Sequence, residues 1–146
     1  MKRGKLISID HGIKRIGLAV CDELRIVARE LTIIERRSRT EDFAQINALA
    51  ERENAVGFIV GVPFDDSLPE GEHSRADTVL LWTQRLAETT DLPIDFWDET
   101  NTSHDAQALA KQKKRPITAH IDDLAARVIL QRYIDAVRDG LVEDAL

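Results

Sequence analysis

The sequence predicts an α/β domain with one mixed five-stranded sheet, elements in the order β-β-β-α-β-α-β-α-α, and helices on both faces of the sheet. Three runs rich in Ile, Leu and Val open the chain with short connections between them, which is typical of an antiparallel meander. Segments of helical periodicity then alternate with apolar runs, as they do in βα units. A chain of 146 residues that is 43% hydrophobic is long enough to bury one such core.

Each element is predicted from the spacing of its apolar residues and from the residues at its ends. The run 55–62 is unbroken and stops at Pro63, which is typical of a strand covered on both faces. Thr40 is the predicted N-cap of the first helix because two acids follow it. Trp82 is expected at the margin of the second helix's apolar side. The predicted strands are 6–10, 13–21, 25–35, 55–62 and 92–97, the helices are 40–53, 72–88, 104–111 and 121–138, and 64–71 is a loop.

Residues 1–138 are predicted to form the domain and residues 139–146 an acidic C-terminal tail. Cys21 is the only cysteine, which excludes an internal disulfide and favours a cytoplasmic location. No apolar run is long enough to cross a membrane.

The formal net charge of −6, taken alone, argues against a nucleic-acid partner. The basic residues are clustered, however, and clusters can bind phosphates. Metal-binding acids would themselves lower the net charge, so the balance permits a metal-dependent nuclease. Solvated surfaces would explain the basic clusters equally well. The clusters are Lys2/Arg3/Lys5, Lys14/Arg15, Arg36/Arg37/Arg39 and Lys111/Lys113/Lys114/Arg115.

The first hairpin carries a candidate active-site acid, Asp10, followed two residues later by Gly12. An ionised carboxylate at the end of so apolar a strand is costly unless it meets a cation, a donor or water. A divalent metal is the partner we favour. Gly12 removes a side chain at the turn, allows a positive φ and leaves room for a phosphate. An ordinary β-turn that begins with Asp and Gly is the alternative explanation.

Further acids are expected to converge on Asp10. Asp98 and Glu99 follow the last strand directly, and right-handed crossovers should bring that strand and the first one near the centre of the sheet. Asp122 lies in the first turn of the last helix, where small alanines permit a close approach to the sheet, although acids there also serve simply to stabilise helices. Asp123 is expected in solvent. Together these acids predict an oxygen-ligand site for Mg²⁺ or Mn²⁺.

Four blocks of the sequence resemble the YqgF (RuvX) family in their order and spacing, and they cover nearly the whole chain. They are residues 6–20 with Asp10 and Gly12, the run Ile59-Val60-Gly61-Val62-Pro63, Asp98-Glu99 followed by Thr102 and Ser103, and residues 121–131 with Asp122 ahead of Ala125-Ala126. The resemblance implies a ribonuclease H-like fold related to the RuvC Holliday-junction resolvases. It implies a nuclease that matures the 5′ end of the precursor of 16S ribosomal RNA, and resolvase activity is the alternative.

The resemblance also assigns the site residues. Asp10, Glu99 and Asp122 match the family's catalytic acids, and Asp98 matches the Asp of its Asp-Glu-Arg motif. Thr100 departs from the family, which usually has Arg there. Without that always-charged group, a contact to a substrate phosphate or to one of the acids is lost.

Nearby cations are the predicted contacts to nucleic acid. Lys14 and Arg15 are expected near the scissile phosphate, and the stretch Lys113, Lys114 and Arg115 is expected to clamp the backbone. Both groups could instead be ordinary surface charges.

The sequence therefore predicts metal-assisted hydrolysis of phosphodiester bonds, with precursor ribosomal RNA or branched DNA as partner and a homodimer as an option for junction cutting. Two other classes stay open. One is a nucleic-acid-binding module that keeps the fold without catalysis. The other is a sugar-kinase or actin-like ATPase, which also begins with a strand-Asp-x-Gly hairpin, but 146 residues are too few for two lobes.

Overall fold

The computed structural model describes residues 2–64, 71–99 and 102–146, without the side chains of residues 102 and 103. Its strands are β1 Lys5–His11, β2 Arg15–Cys21, β3 Ala28–Glu35, β4 Ala55–Val62 and β5 Ile94–Asp98. Its helices are α1 Arg39–Glu53, α2 Arg75–Ala87, α3 Thr102–Gln112 and α4 Asp122–Arg138. The element order is the predicted one. Most of the predicted loop, residues 65–70, lies outside the described residues, as does Thr100.

The sheet is mixed, with strand order β3-β2-β1-β4-β5. β1 and β2 are antiparallel, as are β2 and β3, whereas β1 and β4, and β4 and β5, run parallel. The prediction that both acid-bearing strands lie near the centre is correct for β1 and wrong for β5, which is an edge strand. Successive right-handed crossovers step outward in one direction, so β4 lies between β1 and β5.

Helices cover both faces of the sheet, as predicted. The apolar residues of α1 and α2 pack on one face, with Phe43, Ile46 and Val79 in the same buried cluster as Ile9 of β1. α4 covers the other face through a second cluster, and α3 packs on α4 through a third. Within the described part of the chain no helix is long and apolar enough to cross a membrane.

Two helices begin at residues other than those predicted, because serines cap them. α1 begins at Arg39, where the Ser38 hydroxyl accepts a hydrogen bond from the Glu41 N–H at 3.1 Å, so the prediction of Thr40 as N-cap is wrong. α2 begins at Arg75 rather than at residue 72, with Ser74 and Asp77 forming a reciprocal capping box. In both places an acid three residues after the serine supports the observed start.

Polar contacts in the turn before β3 also shorten that strand and hold the C-terminus. β3 begins at Ala28 rather than residue 25, because the Asp22 carboxylate accepts the N–H groups of Ile26 and Val27, both at 2.8 Å, in a tight turn. The guanidinium of Arg25, which lies in this turn, donates to the Leu146 carbonyl at 3.1 Å. The end of the predicted acidic tail therefore contacts the domain.

Candidate active site

Asp10 and Glu99 meet at the edge of the sheet where the parallel strands end. Asp10 lies one residue beyond the Ile9–Val60 pair of β1 and β4, which places it beside Gly61 on the face covered by α4. Glu99 follows β5, and its N–H donates to the carbonyl of Val62 at 3.1 Å. The Asp10 and Glu99 side chains are hydrogen-bonded to each other. Two strands that are not neighbours thus bring their acids together across the end of β4.

Gly61 makes this contact possible. A Cβ atom at Gly61 would lie 2.8 Å from Glu99 Oε2 and 2.5 Å from Ile129 Cδ1. Any side chain there would displace the Glu99 carboxylate or the α4 packing. The glycine in the middle of an otherwise apolar strand is therefore a requirement of the site, and its position is visible in the sequence.

Burial raises the pKa of both carboxyl groups. The pKa of Asp10 is raised by desolvation and by the Asp122 charge, although its hydrogen bond with Glu99 acts the other way. Desolvation, the Asp10 charge and the hydrogen bond to Asp10 raise the pKa of Glu99 to about 9. Two like-charged groups this close cannot both ionise easily, so without a cation the pair retains a proton, which Glu99 donates to Asp10.

The same chemistry suits a divalent cation. A pair of buried carboxylates offers the hard oxygen ligands that Mg²⁺ and Mn²⁺ prefer, and a cation would satisfy the charge that a proton satisfies here. The residues present therefore fit such a metal.

Asp122 reaches the same region because α4 begins directly on β2. Gly17 of β2 is the cross-strand partner of Asp10, and a Cβ on Gly17 would overlap the Asp122 carbonyl group. The Asp122 carboxylate accepts a hydrogen bond from Arg15 Nε at 3.3 Å, and its charge raises the pKa of Asp10. The charge of Asp122 thus acts on Asp10, while the Asp122 carboxylate itself is paired with Arg15.

The acids do not form a ready-made ligand cluster. Among residues 2–64, 71–99 and 102–146 no three His, Cys, Asp or Glu side chains are grouped so as to hold a metal ion. Asp98 is exposed and pairs with Val62, so strand alternation places it on the sheet face opposite Asp10. A cage that includes Asp122 or Asp98 stays a prediction.

Arg75 is a charged residue of this site that the sequence did not reveal. At the first position of α2, its Nη2 donates to the His11 carbonyl at 2.6 Å and to His11 Nδ1 at 3.0 Å. Its charge lowers the pKa of both Asp10 and Glu99. The Ser74 capping signal would have located the start of α2, and helices that follow parallel strands begin at this edge of the sheet.

The turn between β1 and β2 holds the other predicted phosphate contacts. Gly12 does not adopt a positive φ, so that part of the prediction is wrong. Glycine is needed there because a Cβ would lie 2.5 Å from the Arg15 carbonyl oxygen. Lys14 is exposed, and Arg15 is bound to Asp122 as described above.

The predicted clamp is largely engaged in ion pairs. Arg115 makes two hydrogen bonds to the Asp123 carboxylate, at 2.8 and 3.0 Å, and Lys113 lies 3.0 Å from a Glu30 oxygen. Lys114 is exposed, with a φ of 56°. The prediction that Asp123 is solvated is wrong, because it is 7% exposed and its charge is compensated by Arg115.

The match to known proteins is decisive at the level of the family. The family described as "RuvX: Holliday junction resolvase" matches residues 4–136. The chain belongs to the RuvX family. This confirms the resemblance inferred from the four sequence blocks.

Relatives of similar length support the RuvX assignment. A protein of Synechocystis sp. is 36% identical over 97% of this chain and 94% of its own length. One of Rhodopseudomonas palustris is 37% identical over 90% of this chain and 82% of its own. Both carry the provisional name of pre-16S rRNA nuclease. The RuvX family and these relatives identify a nuclease.

Solved structures share the fold at low sequence identity. RuvC of T. thermophilus, in complex with a Holliday junction substrate, has a TM-score of 0.61 and 17% identity, and the alignment covers 94% of this chain and 97% of RuvC. The Fowlpox virus resolvase, in complex with Holliday junction DNA, has a TM-score of 0.57 and 13% identity over 91% of this chain and 98% of the resolvase. The predicted ribonuclease H-like fold is thereby confirmed for this RuvX chain.

Proposed function

We propose that this chain is a divalent-metal-dependent nuclease that cuts the precursor of 16S ribosomal RNA at its 5′ end. The observation that carries the proposal is the pair of buried, hydrogen-bonded carboxyl groups of Asp10 and Glu99. The pKa of each carboxyl group is raised because the pair is buried and no described cation fully compensates the two charges. Buried carboxylates with strongly perturbed pKa values mark functional sites. The catalytic acids are Asp10, Glu99 and Asp122.

Asp10 and Glu99 are the residues that would hold the metal, and Asp122 would join them on releasing Arg15. When bound, Mg²⁺ or Mn²⁺ supplies a Lewis acid that lowers the pKa of water and stabilises the charge developing on the phosphate. To hold the cation, Glu99 would release the proton that it shares with Asp10, so that both carboxylates are ionised.

The surrounding cations then have defined tasks. Arg75 is fixed on the His11 carbonyl and favours the ionised forms of Asp10 and Glu99. Arg15 is kept close to the site by its ion pair with Asp122, and its guanidinium becomes available to a phosphate oxygen when Asp122 releases it. Positive groups placed beforehand beside the scissile phosphate stabilise its transition state without reorganisation.

RNA is the preferred substrate because the relatives that match most of the chain are named for precursor 16S rRNA. Branched DNA is the second candidate, since the family description is that of a Holliday junction resolvase. Cutting a four-way junction by two symmetric incisions would benefit from a two-fold homodimer. Cytoplasmic location is part of the proposal, because ribosome precursors and the lone cysteine both suit that compartment.

A side-by-side cleavage assay tests the proposal. Wild type and Asp10→Asn are incubated with precursor 16S rRNA or with a four-way junction, in Mn²⁺, Mg²⁺ or EDTA. We expect metal-dependent cutting of the RNA by wild type and by the control Asp91→Asn, an exposed acid outside the site. Loss of cutting is expected in Asp10→Asn. Equal cutting by Asp10→Asn would refute the mechanism. Cutting of the junction but not of the RNA would show that branched DNA is the substrate.

A further inference from the structure

A cavity lies on the face of the sheet opposite Asp10, where His11, the next residue of β1, forms part of its wall. Its volume is about 220 Å³, and it lies between β1, the start of α1 and the side of α2. The described residues that line it are mostly basic and include no carboxylate. The lining residues are His11, Arg36, Arg39, His73, Thr78, Leu81, Trp82 and Arg85.

The clamp residues Lys113 and Arg115 are paired with acids, whereas two arginines of this cavity are not paired with any described acid. Arg39 and Arg85 are exposed, and neither makes an ion pair within the described part of the chain. Arg36 donates to the Gly12 carbonyl at 3.0 Å and lies 3.9 Å from the Asp42 carboxylate. Two arginines are thus free to bind an anion, and a third is fixed beside them.

Two residues of the same lining, His11 and Trp82, carry buried ring N–H groups. Arg75 can only donate, so His11 Nδ1 must accept its hydrogen bond, and the proton of a neutral His11 lies on Nε2. That Nε2 and the Nε1 of Trp82 are buried, and neither has a hydrogen-bond partner among the described residues. The two rings are 4.7 Å apart, and their residues are 3% and 4% exposed. Trp82 is therefore buried, not at the margin as predicted.

We propose that this cavity binds a backbone phosphate of the nucleic-acid strand that is cut at the Asp10–Glu99 pair. Two arginines without ion-pair partners among the described residues, beside unsatisfied N–H donors, match the charge and the hydrogen-bonding needs of a phosphodiester. Asp10 and His11 are consecutive on β1, with Cα atoms about 3.8 Å apart, so one strand crossing the sheet edge can reach both faces. The inference rests on the proposed nuclease function and adds a path for its substrate.

Binding of a fluorescein-labelled 20-nucleotide RNA in EDTA tests this site without cleavage. We expect Arg39→Gln/Arg85→Gln to weaken binding on the order of tenfold at moderate salt. The slope of log K against log salt should fall by about 0.7, since the cavity holds one phosphate and each phosphate contact to a single strand contributes about 0.7. Arg39→Lys/Arg85→Lys, which keeps the charge, should retain most of the binding.

Arg52→Gln is the matched control, because Arg52 lies on the same helix as Arg39, thirteen residues or about 20 Å away. It should bind RNA as wild type does. Wild-type affinity in Arg39→Gln/Arg85→Gln, or equal loss in the Arg52→Gln control, overturns the phosphate site and leaves the nuclease proposal standing. Loss of binding in the double variant, combined with no cleavage by wild type in any metal, overturns the nuclease proposal and leaves the phosphate site.

Inorganic phosphate distinguishes a backbone phosphate from a free ion. Trp82 reports on the cavity in a Trp97→Phe background, because the chain has only these two tryptophans. We expect RNA to change the Trp82 emission at micromolar concentration and inorganic phosphate to do so only at far higher concentration. Tight saturation by inorganic phosphate that RNA cannot displace would overturn the assignment to nucleic acid.

Discussion

The backbone of Asp122 lies directly on Gly17, the cross-strand partner of Asp10 at the centre of the sheet. This contact is how a residue of the last helix reaches an acid of the first strand. Neither Asp122 nor α4 could lie there if β2 carried a side chain at position 17. The placement of the third acid therefore depends on the absence of one Cβ.

Gly17→Ala is expected to displace the start of α4 and to destabilise the protein by about 1–3 kcal/mol, as overpacking does. The added Cβ meets backbone atoms of Asp122 and Asp123, which cannot rotate away. Urea denaturation measures the loss. Gly57→Ala is the control, because its Cβ would meet the end of the Leu6 side chain at 3.1 Å. Equal stability of the two variants would show that α4 is not fixed by this contact.

Asp10→Asn is expected to raise the melting temperature in EDTA. It removes a buried charge that faces Glu99 and Asp122, and a gain of 1 kcal/mol corresponds to about 2–4 °C in a chain of this size. Mn²⁺ should raise the melting temperature of wild type and not that of Asp10→Asn. A variant that melts lower than wild type in EDTA, yet still gains stability from Mn²⁺, would contradict this account of the pair.

Arg75→Gln is expected to lower the cleavage rate by about tenfold or more, because it removes the positive charge that favours ionised Asp10 and Glu99. Arg75→Lys should recover part of the rate. We expect the loss in kcat rather than in KM, because the charge of Arg75 acts on the two acids. A residue that only supports folding would not be rescued by lysine. Unchanged rates in both variants would remove Arg75 from the site.

Glu30 is expected to make stability fall in acid. Burial alone would raise its pKa, but hydrogen bonds and the nearby Lys113 and Arg127 hold the pKa below its usual value. The folded state therefore keeps Glu30 ionised at a lower pH than the unfolded chain does. Its stabilising contribution is present above the ordinary carboxyl pKa and is lost as the pH falls through the lowered value.

Urea denaturation of wild type and Glu30→Gln between pH 7 and pH 3 checks the sign. The stability difference between them should be constant down to about pH 5 and shrink below the ordinary Glu pKa of about 4.3. A difference that stays constant over the whole range would show that the cations around Glu30 do not stabilise its charge.

The sequence predicted the parts of the site that depend on local pattern. Asp10 lies near the end of one apolar strand and Glu99 follows another, and right-handed βα connections send both strand ends to one edge. Arg75 was missed because its contact with His11 depends on where α2 returns to the sheet, across residues with no regular pattern. Asp123 was misjudged because its partner, Arg115, lies in the irregular segment between α3 and α4, where no periodic pattern predicts which side chains meet.

The small residues that permit close approach were recognised only in part. The alanines of α4 were expected to bring it onto the sheet, and the Ser8 hydroxyl does donate to the Ala126 carbonyl at 2.6 Å. The glycines on the facing strands, Gly17 and Gly61, matter more for the acids. A sequence pattern marks each as a break in an apolar run, but only the strand register shows that both lie beside Asp10.

Mn²⁺ binding, followed by electron paramagnetic resonance of the free ion, tests the central claim most directly. The account predicts saturable binding to wild type and to Asp91→Asn, with binding greatly weakened in both Asp10→Asn and Glu99→Gln. Binding of Mn²⁺ by Asp10→Asn with the affinity and stoichiometry of wild type would contradict it.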